Sequence, residues 1–320
     1  MAVDHDLYRK DLMRRLRLRN RYLFKGRLVM ETALHIGGGK LTLSSSKSPI
    51  VLTPENIPFI PGSSFKGALR STVEKLVAAL AELPRPRLRT CGLIEREQEE
   101  LEQIQHEEGS LDNICPTARQ RTIAEERRQR GELDLLPILE QLCHTCQLFG
   151  SPFSASRVNV SDLYIPEEEW NGIIQLRDGV AIERDSERAK ERLKYDYEVV
   201  PASTAFDLEI TLENATREDL WLLSLGLSEF VNGFGSIGGK RSRGLGACRL
   251  RDLRVYILEL EGEEDSDGKN GRLSPEERAR RLQRYLLGRS PEEKFNRVED
   301  GEDFLAKQIE RLFSANQPER

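Results

Sequence analysis

The chain has 320 residues, of which 38% are hydrophobic and 32% are charged, and its formal net charge is −5. This length can form a sizeable core in one large domain or two average ones. No apolar run approaches the roughly 20 residues that cross a bilayer, and the charged N-terminus lacks a secretory pattern. We therefore expect a cytoplasmic protein without a membrane partner.

The first predicted unit is a basic segment over residues 1–26, which contains eight Lys and Arg residues and three acidic residues. Because salt confines the field of such a surface to about 10 Å, the negative net charge does not exclude local phosphate binding. Residues 27–36 then alternate in hydrophobicity and predict a strand.

A helix is predicted over about 65–82, entered through an extended proline-containing stretch and capped by Ser63 or Ser64. Residues 84–147 are charge-dense and predict a helical insertion into the fold. Sheet-like sequence resumes at 156–165 and is followed by a second polar excursion.

That second excursion, residues 178–201, precedes the clearest strand in the chain, "TAFDLEITLE", in which every other residue is apolar. Thr216 and Asp219 form the capping-box pattern that begins a helix ending near Asn232. A last strand is predicted over 246–259.

The order of these elements is β–α–β–β–α–β with two insertions, which predicts an α+β, ferredoxin-like domain over residues 27–260. A linker is expected over 261–275, followed by a helical C-terminal extension over 276–320. Within this extension, two amphipathic helices are predicted at about 275–287 and 291–313.

The segment "GFGSIGGKRSRGLGACRL", residues 233–250, combines glycines with basic side chains, which indicates an anionic ligand. A P-loop would need glycine at Phe234 and a hydroxyl at Arg241, so that motif is excluded. The dinucleotide pattern G-x-G-x-x-G matches literally, but here it would join a helix to a strand instead of a strand to a helix. Two interpretations remain: a basic loop whose Lys240, Arg241 and Arg243 contact nucleic-acid phosphates, or a tight turn beside a salt-bridged surface.

Three stretches, "LHIGGG", "IPFIPGSSFKGALRS" and "GFGSIGGKRSRGLG", together resemble the repeat-associated mysterious protein (RAMP) superfamily, and more narrowly the backbone subunits of type III CRISPR effector complexes. The resemblance covers residues 25–260 apart from most of 84–140. It implies an RRM-like core and a thumb hairpin over 178–201 that inserts between guide and target RNA. It also implies that the partners are guide RNA, target RNA and other effector subunits, including RAMP-type neighbours.

By this resemblance, the guide backbone meets the start of the first helix at Ser63, Ser64, Lys66 and Arg70. Hydroxyls and a helix N-terminus suit phosphate oxygens, and the two cations lie one turn apart on one helix face. His35 matches the histidine before the family's first glycine pair, and a structural histidine on the strand surface is the alternative interpretation.

Catalytic members of the family carry an aspartate just before the "SP" of the loop after the first strand, where this chain has Lys47. A lysine can contact phosphate but cannot bind a metal ion as a carboxylate does, so we expect RNA binding without target cleavage. An active endoribonuclease would need Mg²⁺ and another carboxylate, with Glu55 or Asp162 as candidates. The third hypothesis is a stand-alone guide-processing ribonuclease that uses a histidine such as His35 as general acid–base.

Four of the five cysteines lie in the first insertion: Cys91, Cys115, Cys143 and Cys146. Four thiolates are a complete tetrahedral set for structural zinc, which would fold an insertion with little apolar sequence. Buried free thiols are the alternative, and His106 and His144 are reserve ligands. The fifth cysteine, Cys248, stands alone in a predicted strand.

Overall fold

The computed structural model describes residues 17–38, 48–81, 88–131, 135–182, 189–261 and 273–315. A five-stranded antiparallel sheet lies at its centre. In spatial order its strands are β3 (Val158–Val160), β7 (Ala205–Glu213), β1 (Asn20–Met30), β8 (Cys248–Glu259) and β9 (Arg297–Asp300). Two smaller sheets pair β2 (Phe59–Ile60) with β4 (Leu163–Tyr164), and β5 (Gln175–Ile182) with β6 (Ala189–Val199).

Nine α-helices are found in the described residues. They are α1 (Gly62–Leu80), α2 (Gln98–Glu108), α3 (Gln120–Arg130), α4 (Leu135–Gln141), α5 (His144–Phe149), α6 (Arg217–Val231), α7 (Pro275–Leu287), α8 (Pro291–Lys294) and α9 (Gly301–Ala315). Among the parts of the chain that the structure describes, none of these helices has both the length and the apolar character that a bilayer crossing requires.

Without β9, the strands of the main sheet pair in the order second, third, first, fourth along the chain. One helix, α1, follows the first of these strands, and α6 follows the third. This is the arrangement of a split βαβ, ferredoxin-like fold. The predicted α+β class is therefore confirmed in outline, and the main sheet is antiparallel.

Helices α1, α6 and α9 pack with the main sheet in one hydrophobic core. All four apolar residues that the β7 pattern placed on one face are buried: Phe206, Leu208, Ile210 and Leu212. Helix α6 begins at the predicted capping box, since Thr216 N–H donates to Asp219 Oδ2 at 2.9 Å and Asp219 N–H donates back to Thr216 Oγ1 at 3.3 Å. Such a pattern can be predicted from the sequence because both hydrogen-bonding residues lie within one helical turn.

The first strand begins at Asn20 and not at residue 27, so part of the predicted basic segment 1–26 belongs to the main sheet. Its buried residues include Tyr22, Leu23 and Phe24. Residues 1–16 of that segment lie outside the described residues.

The basic side chains of β1 face acidic side chains of β7 across the strand pair. Lys25 Nζ lies 3.1 Å from Glu209 Oε2, and Arg27 Nε lies 3.3 Å from Asp207 Oδ1. Opposite charges directly across a strand pair stabilise the sheet by a few tenths of a kcal/mol each, about 0.2–1 kcal/mol. Lys25 and Arg27 therefore form ion pairs within the sheet.

Helix α1 begins at Gly62 and not near residue 65, and neither Ser63 nor Ser64 caps it. Its first N–H, that of Gly62, donates to Asp162 Oδ1 at 2.7 Å. A Cβ at Gly62 would lie 2.2 Å from the Val160 carbonyl oxygen, so only glycine allows this close approach. The cap was not predicted because its acceptor lies far away in the sequence.

The predicted second tail helix, 291–313, is three elements: α8, β9 and α9. Strand β9 pairs with β8 at the edge of the main sheet. On α9, Phe304 packs against Tyr22 and Phe24, with ring centroids 6.1 Å and 5.8 Å apart. Within the C-terminal extension, β9 therefore belongs to the main sheet and α9 to the main core. Most of the predicted linker, residues 262–272, lies outside the described residues.

Candidate nucleic-acid interface and candidate metal centre

The glycine-rich segment folds back along the residues that follow β1. Gly239 N–H donates to the His35 carbonyl at 2.9 Å, and Gly246 N–H donates to the Ala33 carbonyl at 2.9 Å. Gly246 has φ +82°, and a Cβ there would lie 2.0 Å from the Ile237 carbonyl oxygen. Glycine is thus required for this fold of the loop, and the basic residues stand on a hydrogen-bonded frame.

The basic residues of this loop contact two stacked tyrosines of the β5–β6 hairpin. The rings of Tyr195 and Tyr197 are 6.1 Å apart at an angle of 27°. Lys240 Nζ lies 4.6 Å from the centroid of Tyr197, and Arg243 Cζ lies 5.6 Å from that of Tyr195. Arg243 Nη1 also donates to the Tyr195 hydroxyl. Cation–π contacts at such partly exposed sites contribute about 0.5–1 kcal/mol each, so the hairpin holds both cations in place.

The structure brings His35 to the same place, although in a buried position. His35 is 6% exposed, its Nδ1 lies 2.7 Å from the Glu198 carbonyl oxygen, and its ring meets Tyr197 edge-on. Burial lowers the pKa of His35, the Glu198 carbonyl opposes this, and the charge of Lys240 lowers the pKa further. The histidine is therefore neutral at pH 7, with its proton on Nδ1. The predicted position on the strand surface is wrong, since the side chain is buried, but its internal partners are those of a structural histidine, and an RNA contact at His35 stays a prediction.

On α1, Ser63 is exposed, and Ser64 and Lys66 are half-buried. Partial burial lowers the pKa of the Lys66 ammonium, and the charge of Arg70 lowers it further. Because the Asp162 carboxylate already accepts the first N–H of this helix, the positive helix end is partly neutralised. The Ser63 hydroxyl and Lys66 are what this end of α1 offers to a phosphate.

Arg70 points into the protein, and its side chain is 13% exposed. Its Nε donates to Glu74 Oε1 at 2.8 Å, its Nη1 to the Gly150 carbonyl at 2.8 Å, and its Nη2 to Cys146 Sγ at 3.4 Å. Burial alone would lower the pKa of Arg70, but its hydrogen bond to the Glu74 carboxylate and the charges of Cys146 and Glu74 raise it. The guanidinium is thus committed to internal partners, and the expectation of a phosphate contact at Arg70 is corrected.

The four cysteines of the insertion meet in one cluster: Cys91, Cys115, Cys143 and Cys146. Their sulfur atoms all lie within 4.8 Å of one another, a spacing that admits a central ion with metal–sulfur bonds of about 2.3 Å. Hydrogen bonds from the neighbouring thiols lower the pKa of Cys115, which favours a thiolate there. The cluster can hold a metal ion.

Two buried groups support this cluster from outside. The Thr145 hydroxyl lies 3.3 Å from Cys143 Sγ, and Arg70 donates to Cys146. His144 Nδ1 instead accepts the Arg89 N–H at 3.0 Å. Within the described residues, neither His144 nor His106 belongs to the ligand cluster, and Cys248 is buried separately in β8.

Other predicted residues are placed as follows. Lys47 lies outside the described residues. Arg241 is exposed in a short 3-10 turn with Arg243, and Glu55 is exposed in a turn before β2. The tyrosines of the hairpin were missed, although the alternating "YDY" of β6 is a signal for two aromatic rings on one strand face.

Comparisons with known proteins agree with this arrangement. The CRISPR system Cms endoribonuclease Csm3 of Methanocaldococcus jannaschii is 24% identical over 277 residues, which cover 79% of this chain and 89% of that relative. The Csm3 proteins of Methanothermobacter thermautotrophicus and Streptococcus thermophilus are 39% and 41% identical over 62 and 56 residues. Those two shorter matches span 25% and 26% of the relatives' own length.

The family model described as "RAMPs: RAMP superfamily" matches residues 27–249, which run from the end of β1 to the start of β8 and include β3, β7, helices α1 and α6 and nearly all of the glycine-rich loop. This match extends over more than half of the chain. The chain belongs to the RAMP superfamily.

Proposed function

We propose that this chain is an RNA-binding backbone subunit of a type III CRISPR effector complex. Its partners are guide RNA, target RNA and other effector subunits, among them RAMP-type neighbours. Four relatives that match the chain carry the name of one protein of a CRISPR system, Csm3, and the family membership supports the same assignment.

One observation carries the proposal: a cationic loop packed on paired aromatic rings. Lys240 and Arg243 stand over Tyr197 and Tyr195, and Arg241 is exposed between them. Cations neutralise phosphates whatever the base sequence, and glycines let the backbone approach the sugar–phosphate chain. Lys66 and Ser63 supply a second contact at the start of α1. A protein of this kind binds the backbone of a guide RNA independently of its base sequence.

The test is a salt-dependent binding measurement with a labelled single-stranded RNA. Lys240→Gln and Arg243→Gln should each weaken binding, and the slope of log affinity against log salt should fall by about 0.7 for each cation removed. Arg121→Gln is a matched control, because Arg121 is 84% exposed but lies on the insertion. Unchanged affinity and slope in the loop variants would contradict the proposal.

We further propose that the subunit holds target RNA without cutting it, because Lys47 replaces the expected carboxylate. The competing function, an Mg²⁺-dependent endoribonuclease, is favoured by the relatives' printed name. Of its candidate carboxylates, Asp162 caps α1 and Glu55 is exposed in a turn. In the assembled complex, target RNA should stay intact opposite this subunit, and Lys47→Asp should introduce a cut. A metal-dependent cut that survives Lys47→Ala would instead establish the endoribonuclease.

A stand-alone guide-processing ribonuclease ranks last. Its candidate acid–base, His35, is buried against Tyr197 and the Glu198 carbonyl, which leaves little room for a 2′-hydroxyl. Guide trimming by the purified chain, abolished by His35→Ala, would support this function.

For the cysteine cluster we propose structural zinc. The donor set of four sulfurs is that of closed, four-coordinate zinc sites, and the cluster's position among short helices fits a role in folding the insertion.

A further inference from the structure

Phe234, at the start of the glycine-rich loop, is 76% exposed. Among the residues that the structure describes, it is the most exposed large hydrophobic side chain. Single apolar side chains on a surface are common, so exposure alone carries no function. The backbone around Phe234 and the charges beside it make this residue different.

The backbone keeps the ring of Phe234 directed outward. A Cβ on Gly233, which has φ +81°, would lie 2.5 Å from Arg249 Nη2, and one on Gly235 would lie 2.3 Å from Phe230 Cδ1. The inner positions of this turn are thus filled by Arg249 and Phe230. The N–H groups of Phe234 and Gly235 both donate to the Glu229 carbonyl, at 2.9 Å and 3.1 Å. The ring stands on a hydrogen-bonded turn and not on a loose end.

The turn is connected to both groups of RNA-binding candidates. Phe230, in the helical turn before it, packs against Phe65 with ring centroids 5.0 Å apart, and Phe65 directly precedes Lys66 on α1. Along the chain, the same loop runs on from Phe234 to Lys240 and Arg243. An exposed, fixed aromatic ring in the same loop as cationic side chains is a combination that single-stranded nucleic acids recognise, because phosphates bind the cations and bases stack on the ring.

We propose that Phe234 is a stacking platform for an unpaired base of the RNA that the cationic loop binds. This inference rests on the proposed function and adds to it a contact with a base. The stacked base replaces water on the ring face, and every base has such a face, so the contact is independent of sequence.

The test uses the full chain and a fluorescein-labelled single-stranded RNA, with the dissociation constant measured by anisotropy. Phe234→Ala should weaken binding about 5- to 100-fold, with an unchanged salt slope because no charge is lost. Phe234→Trp should bind as well as the native chain, and Phe234→Leu should bind like Phe234→Ala. Leu286→Ala is the matched control, since it removes a 67% exposed apolar side chain from α7. Full binding by Phe234→Leu would overturn the proposal.

A second measurement uses an oligomer of the same length and charge without bases. Phe234→Ala should bind this oligomer with the same dissociation constant as the native chain, because the oligomer has no base to stack on the ring. An equal loss on both strands would show that Phe234 acts on the fold of the loop and would overturn the stacking role. If Phe234→Ala binds normal RNA as the native chain does, stacking fails and the proposed function stands. If the native chain binds no RNA, both fail.

Discussion

Lys66 and Arg70 lie one turn apart on α1, but their side chains have different surroundings in the structure. Lys66 remains half-buried at the surface, whereas Arg70 joins Glu74, Gly150 and the cysteine cluster. The spacing predicted two cations on one helix face. The spacing could not show that Cys146, which belongs to the insertion, contacts Arg70, because the two residues lie 76 positions apart in the sequence.

Arg70→Met should lower the free energy of unfolding by about 3 kcal/mol, because it leaves the carboxylate of Glu74, which is 14% exposed, buried without its partner. The measurement is urea denaturation. The double variant Arg70→Met, Glu74→Leu should regain most of the loss, since no unpaired charge remains. If the single variant is as stable as the native chain, the internal role of Arg70 is wrong.

At the scale of elements, sequence patterns succeeded where their partners are local. The β7 alternation and the α6 capping box are examples, and both are found as predicted. The start of α1 was misplaced because its cap is Asp162, which lies 100 positions after Gly62 in the chain. The cysteine cluster was predicted from residue types and not from a local pattern. Four cysteines in one insertion indicated a common ligand set, and the structure brings all four sulfurs together.

Elemental analysis of the purified chain should find about one zinc per molecule, and Cys143→Ser should abolish it. Cys248→Ser is the control, because that cysteine is buried in β8 away from the cluster. Chelation should raise hydrogen exchange in α2–α5 and leave the main sheet protected, since the metal supplies the stability that the insertion's small core lacks. A folded, metal-free insertion would overturn the zinc assignment.

At the scale of the whole molecule, the C-terminal extension was predicted as helices outside the domain, and the structure places β9 in the main sheet and α9 in the main core. Four residues of β9 are too few to give an alternating pattern, and only one of them, Val298, is hydrophobic. The burial of Phe304 depends on β1, nearly the full length of the chain away. Periodicity could show that α9 has an apolar face, but not which surface that face covers.

Phe304→Ala should lower the free energy of unfolding by about 3–5 kcal/mol, because Phe304 is 2% exposed and its removal leaves a cavity beside Tyr22 and Phe24. The matched control is Phe313→Ala on the same helix, where the side chain is 45% exposed and the expected change is within about 0.5 kcal/mol. Thermal unfolding of both variants measures this. Equal stabilities would show that the extension does not belong to the core.

Strand β9 lies along Arg254–Ile257 of β8, and this pairing has a consequence during synthesis. Until residue 300 has left the ribosome, β8 has an open edge with the sequence "RVYI", which is rich in β-forming side chains. At about 5–20 residues per second this interval lasts roughly 2–8 s. Nascent chains that meet in that time can pair edge to edge, and the pairing of β9 closes this edge. Truncated chains that end near residue 260 should accumulate in inclusion bodies, because they lack both β9 and the core residues of α9.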